Sequence, residues 1–433
     1  MILESYRQAA QTTIESLPGD SGDWLIPQRQ AAVKQMLDLG IPHARQETWR
    51  YTSVDGLLSK ELRPNHRVSD RPVERLDIAP LEEPVAARLV FVDGSYSPEL
   101  STGGSQRGYR LGSLRSAMAT GDQSVLRSVA SLSGTGDHLF AAMNLACLQD
   151  GAVIQLSPGV VIEQPVELLH ITTNRKGRHG QQIRHLIELD TDASVKLIER
   201  YLSVDDDSDY FNNIVCEISL AEDAEFRHER VQQESDAAYH LCRIHIDLGR
   251  NASYRGVTAA LGGAWSRTEL YNRFSGEGAA FEVDGLYAAG EGQLCDFHLK
   301  VDHAVPNCRS REAFKGVLHG AGRAVFDGLI QVKADSQKSE AHLHNANLML
   351  SSRAEVDTKP QLVILADDVQ CSHGTSVGQL DEQALFYLRS RGIDGHQARR
   401  ILCLGFAGEI LDRFATVSLR EQIENDLLQR MRF

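Results

Sequence analysis

No stretch of the 433-residue chain approaches about 18 uninterrupted apolar residues, so nothing in it reads as an ordinary membrane-spanning helix. The first residues, Met1-Ile-Leu-Glu-Ser-Tyr-Arg7, lack the basic start and apolar stretch of a secretory leader, and the expectation is a cytoplasmic protein. No Cys-x-x-Cys pair occurs. The seven cysteines (Cys147, Cys216, Cys242, Cys295, Cys308, Cys371 and Cys403) are odd in number and widely spread, which points away from a disulfide framework and from a regular zinc module. Also missing are a Gly-x-x-x-x-Gly-Lys-Ser/Thr loop, a Gly-x-Gly-x-x-Gly opening a helix and a His-Glu-x-x-His pair. The chain should therefore not hydrolyse ATP by itself. Positive charge is in deficit, with 45 Lys and Arg against 59 Asp and Glu; the net charge of −14 argues against a nucleic-acid partner.

What is present is the composition of an ordinary globular chain, 42% hydrophobic and 24% charged, long enough for a sizeable core. Four regions follow from its texture. Residues 1–85 form an N-terminal helical region and linker, with apolar residues at helical spacing over Glu4–Leu17 and Pro27–Leu39 and a polar connection around 63–85. Residues 86–150 are a mixed connecting region: Arg88–Gly94 reads as a strand ending in a turn, and 111–148 carry helix-compatible patterns broken at Gly134 and Gly136. Residues 151–378 alternate short β-branched runs with Gly, Asp and Asn, and no convincing helix intervenes. Residues 379–433 turn helical, with Asp381 and Asp394 as N-caps and Leu419–Met431 as a last helix.

Within the β region a turn followed by Ala and a new apolar run recurs at Ala193, Ala224, Ala252, Ala279, Ala324 and Ala354. The steps are 27–31 residues except for one of 45, between Ala279 and Ala324. This predicts stacked coils, a mainly β fold with a right-handed parallel β-helix core between helical ends. A large antiparallel sandwich is the alternative, because hairpins use the same turn residues.

The β region closes on Cys371-Ser372-His373-Gly374. In extended backbone alternate side chains share a face, which sets Cys371 and His373 about 6–7 Å apart at Cα, pointing the same way. A thiolate and an imidazole so placed could share a metal ion or cluster, yet zinc or an iron–sulfur cluster takes four ligands, so this is half a site. A packed Cys beside a hydrogen-bonded His is the alternative. Asp367 and Asp368 should raise the thiol's pKa. His342-Leu-His344 has the same spacing as the Cys-Ser-His pair. Weaker candidates are a zinc set from Cys295, Cys308, His298 and His303, and calcium ligands at Asp205, Asp206 and Asp207. Gly405 and Gly408 inside a helix cost on the order of 1 kcal/mol each and suit a close backbone approach, by a partner or within the chain.

Residues 322–328 (Gly-Arg-Ala-Val-Phe-Asp-Gly), 354–360 (Ala-Glu-Val-Asp-Thr-Lys-Pro), 367–374 (Asp-Asp-Val-Gln-Cys-Ser-His-Gly) and 385–393 (Leu-Phe-Tyr-Leu-Arg-Ser-Arg-Gly-Ile), with Glu47–Thr52 and Arg88–Gly94, closely resemble the SufB/SufD family of the SUF iron–sulfur cluster assembly system, on its SufD side. The resemblance implies a non-catalytic scaffold subunit. It implies a SufB-like paralogue as partner, with Cys371 and His373 as candidate iron or cluster ligands where the two chains meet. It implies a SufC-like ABC-type ATPase docked on the C-terminal helices, where Leu385, Phe386, Arg389, Arg391, Gly405 and Gly408 are the candidate contacts. A homodimer of the isolated chain and a flavin in the assembled complex are further expectations. Two other readings stand beside these: a purely structural subunit without metal ligands, and a carbohydrate-active β-helix enzyme.

Overall fold

The computed structural model describes residues 2–15, 19–60, 62–64, 81–133, 138–173, 179–205 and 208–431. Most of the polar connection before Leu81, the breaks at Gly134 and Gly136, and Asp206 and Asp207 lie outside these residues.

The strands form two ten-stranded sheets, and from Ala152 to Gly378 successive strands alternate between them as a solenoid. One sheet ends on the strand Glu355–Ile364 and the other on Gln370–Gly378. From Val161 onward every pairing is parallel, which rules out the antiparallel sandwich. Strands Ala87–Val92 and Tyr109–Ser113 already belong to the two sheets, the first running into a turn at Asp93 and Gly94 as expected for Arg88–Gly94.

One corner of each coil explains the repeat. Asp192, Asp223, Asn251, Gly278, Asn307 and Lys338 all adopt the left-handed conformation, φ +55° to +75°. Asn, Asp and Gly tolerate that backbone best. Most of these residues also donate their N–H to a carbonyl of the next coil, as Asp192 does to Glu222 (3.0 Å) and Asn307 to Gln337 (3.0 Å). The residue after each is small and buried: Ala193, Ala224, Ala252, Ala279, Cys308 and Ser339. The 45-residue step is thereby corrected. Cys308 takes the Ala position after Ala279, while Ala324 lies in a strand of the opposite sheet and Ala354 immediately before the next strand of that sheet.

Inward side chains stack in columns, such as Phe226, Tyr254 and Phe281, whose ring centroids are 5.9 and 5.3 Å apart. The helical ends cover opposite outer faces. The N-terminal helices Ile2–Glu15 and Gly19–Leu39 pack with Leu139–Ala146 onto Leu186, Phe211, Leu241 and Trp265 of one sheet. The second helix begins eight residues before Pro27, earlier than its apolar spacing suggests. Helices Gly395–Leu411 and Val417–Arg430 lie on Ile198, Val231, Leu286 and Val317 of the other sheet. Asp381 and Asp394 cap their helices as expected: Asp381 accepts from Gln383 N–H (2.8 Å), and Asp394 from His396 and Gln397 N–H (2.9 and 3.0 Å).

The lumen is not wholly apolar. Glu312 faces inward between Val283 and Leu343 in its column, and among the described residues neither of its carboxyl oxygens has a well-formed hydrogen bond. Burial raises its pKa to about 8, against the weaker pulls of Ser310 and Arg311. The folded pKa lies above the unfolded one, so the folded chain binds the extra proton and stability falls as pH rises from about 4.5 to about 8. Glu312→Gln should remove that slope. Unfolding midpoints at pH 5 and pH 8.5 check it, and an unchanged slope contradicts it.

Candidate functional site

The two strands that end the solenoid are each paired on one side only. Their residues are mostly half-buried or exposed, in contrast with the coils beneath. Leu365, between them, is 61% exposed and Val377 is 52% exposed. The last coil thus presents two strand edges left unpaired, and apolar side chains left uncovered, by the described residues.

Cys371 and His373 lie on this coil. They pair in register with Ala341 and Leu343, both inward core residues, so both side chains point towards the lumen at its open end. The co-facial placement read from their spacing is what the strand delivers. Cys371 is half-buried against the core, and His373 is exposed. Of the seven cysteines it alone is not buried. Burial raises the Cys371 thiol's pKa; Asp367 and Asp368 are not among the causes, which corrects their expected role. A thiol with no cation beside it stays protonated until a metal or a positive group arrives. Across the lumen, Thr358 and Thr375 hydroxyls meet at 3.0 Å and tie the two end strands together.

His342 and His344 fall on the other face of their strand, between the inward residues Ala341, Leu343 and Asn345. His342 Nδ1 lies 2.7 Å from Ser372 Oγ. The proposed zinc set is not assembled: Cys295 and His303 face inward, His298 pairs with Asp296 outside, and Cys308 occupies a turn.

Among the described residues one group has the types and spacing of a metal site, His170, His185 and Glu199, with donor atoms within 4.8 Å of one another. Sequence reading missed it because the three sit on separate strands and share no motif. The hydrogen bonds argue against an ion there. Ala152 N–H donates to His185 Nδ1 (2.9 Å), which puts the ring proton on Nε2, the nitrogen facing Glu199 Oε1 at 3.9 Å. Glu199 already accepts from the Tyr201 hydroxyl and meets His228 Nε2 at 2.7 Å. Burial works against its charge, yet His228 and Arg230 hold its carboxyl well below the usual range. This is a hydrogen-bonded polar core.

The N-terminal block Glu47–Thr52 is tied to the solenoid. Thr52 Oγ1 donates to Asp296 (2.6 Å), Arg267 donates to the Thr48 carbonyl (3.0 Å) and stacks 4.1 Å over the Trp49 ring, and Glu47 pairs with Lys359 of the end coil.

On the C-terminal helices Phe386 is 74% and Tyr387 58% exposed, with Arg389 and Arg391 exposed beside them. Leu385 is 5% exposed, so it supports this face from beneath and is not available to a partner, a correction to its expected role. Among the described residues a Cβ at Gly405 or Gly408 would meet nothing within 4 Å, so no close backbone there explains either glycine. No helix among the described residues is long and apolar enough to cross a membrane.

Comparison with known proteins agrees with the geometry. The family model described as "SUF system FeS cluster assembly, SufBD core domain" matches residues 170–406, and that for the "SufBD protein N-terminal region" matches residues 2–168. The Escherichia coli "Iron-sulfur cluster assembly protein SufD" is 30% identical over 417 residues, 94% of this chain and 93% of its own length. A Synechocystis iron–sulfur cluster assembly SufBD family protein is 31% identical over 94% of this chain and 91% of its own. The chloroplastic ABCI7 protein of Arabidopsis thaliana is 28% identical over 96% and 89%. A two-sheet solenoid with an open end carrying Cys371 and His373, matched along nearly its whole length, belongs to the SufBD family of iron–sulfur cluster assembly proteins and is SufD-like.

Proposed function

We propose that this chain is a non-catalytic, cytoplasmic scaffold subunit whose open solenoid end pairs with the corresponding end of a SufB-like paralogue. Cys371 and His373 then supply part of the ligand set for an iron–sulfur cluster built between the two chains. The observation that supports this most is the uncapped last coil, where two free strand edges surround an incomplete pair of metal ligands. A second solenoid can continue the strand pairing and bring the missing ligands at once. A homodimer through the same edges is the form expected of the isolated chain, and any flavin is assigned to the complex.

The exposed aromatic and arginine face of Glu382–Ser390, together with Gly405 and Gly408, is the proposed seat of an ABC-type ATPase. Aromatic and Arg side chains dominate protein interfaces of this kind. Phe386→Ala with Tyr387→Ala should weaken ATPase capture by about 100-fold, on the order of two hot-spot residues. Titration calorimetry reads this, and unchanged affinity moves the seat elsewhere.

The pairing itself is tested by mixing the chain with a SufB-type paralogue and measuring the complex by light scattering, with flavin absorbance read on the same sample. Leu365→Lys with Val377→Lys should abolish the heterocomplex while leaving the melting curve in place. Undiminished assembly would leave the open end without its proposed partner.

A further inference from the structure

We propose that His342 and His344 are positioning residues that fix the strand bearing Cys371 and His373 from its outer face. The proposal rests on the reading of that pair as ligands. It starts from a mechanical weakness: Gln370–Gly378 has one backbone ladder, to Glu340–Met349, and beyond it the single Thr358–Thr375 hydroxyl contact. An edge strand held by one ladder can slip or twist, and a slip of one residue would turn Cys371 and His373 out of the lumen.

The residues that alternate with the pair are Ser372 and Gly374, and each meets a histidine. Ser372 Oγ lies 2.7 Å from His342 Nδ1. At Gly374 a Cβ would come within 3.3 Å of His344 Nδ1, so the imidazole takes space next to the strand that a larger residue would contest. The two histidines therefore bracket His373 on the side opposite its own ring. His344 also lies close enough to the C-terminal helices for its charge to bear on Glu409. Glu409 of helix Gly395–Leu411 is paired with Lys315 (2.5 Å), and its carboxyl is held down chiefly by Lys315 and in lesser part by His344. Lys315 also donates to the Phe406 carbonyl (2.9 Å). The outer-face brace thus stands where the helix proposed to sit beneath the ATPase meets the last strands.

The test uses the full chain and the exposure of Cys371. Because the other six cysteines are buried, the fast phase of alkylation by an uncharged thiol reagent reports this residue. His342→Ala and Ser372→Ala should each raise that rate by about threefold or more, the double variant should go no further, and His342→Asn should restore it, since an Asn amide can still reach the hydroxyl. Melting curves identify any variant that does not fold, and Ser372→Ala carries the test if His342→Ala is one of them. Rates within experimental scatter of the native chain, or additive effects in the double variant, overturn the proposal. Cobalt(II) added to the chain with its SufB-type partner separates the two readings: no thiolate charge-transfer band in the native complex sinks the ligand assignment, whereas the alkylation cycle still decides the brace.

Discussion

Arg267→Met is expected to destabilise the chain by about 3–5 kcal/mol, the usual cost of stranding buried partner charges. Arg267 is 1% exposed and donates to Glu269 Oε1 (2.6 Å) and Asp296 Oδ2 (2.7 Å). Burial alone would push Glu269's carboxyl up, but Arg243, His138 and Arg267 together hold it well below the ordinary range. Removing the guanidinium leaves Asp296 with only part of its compensation and Glu269 dependent on Arg243 and His138. The same change releases the Thr48 carbonyl and the Trp49 ring, so indole fluorescence should shift in the folded state. Urea unfolding measures the loss. The contrast is Glu47→Ala, which removes a largely exposed carboxylate from its pair with Lys359 and should cost no more than about 1 kcal/mol. Equal effects from the two variants would mean that the buried network does not anchor the N-terminal block.

Cys371→Ser is expected to reduce cluster loading of the assembled complex by at least about tenfold, because a serine hydroxyl does not replace a thiolate at iron. The free chain should be unaffected in stability, since the thiol is only half-buried at an open end. Reconstitution with iron and sulfide, followed by cluster absorbance, reads the loss. His373→Ala should fall in the same direction with the complex still formed. If both variants load as the native chain does, the subunit is a structural spacer. Turnover of a polysaccharide by the chain alone would instead favour the carbohydrate-active reading.

The features legible in the sequence were those that one strand or one helix carries by itself. The caps at Asp381 and Asp394, the turn-plus-small-residue rhythm and the shared face of Cys371 and His373 depend only on local backbone geometry. The rhythm was read with a gap because Cys308 and Ser339 do the work of Ala and because two corners of the coil were merged into one series. Partnerships across coils left no local trace. Glu199, Glu269 and Glu312 look like surface residues in their own strands, and only the stacking of strands from distant parts of the chain encloses them. The same limit applied to Leu385, whose apolar character fits a partner face and a buried one equally well.

On the proposed function, this chain gives its own ligands to a cluster it cannot hold alone. The most direct measurement is pulsed electron paramagnetic resonance on the reduced cluster of the reconstituted complex, with this subunit alone labelled with ¹⁵N-histidine. The expected result is a ¹⁵N coupling that vanishes in His373→Ala while the complex stays intact. A cluster signal with no nitrogen coupling from this subunit, unaltered by Cys371→Ser, would contradict it.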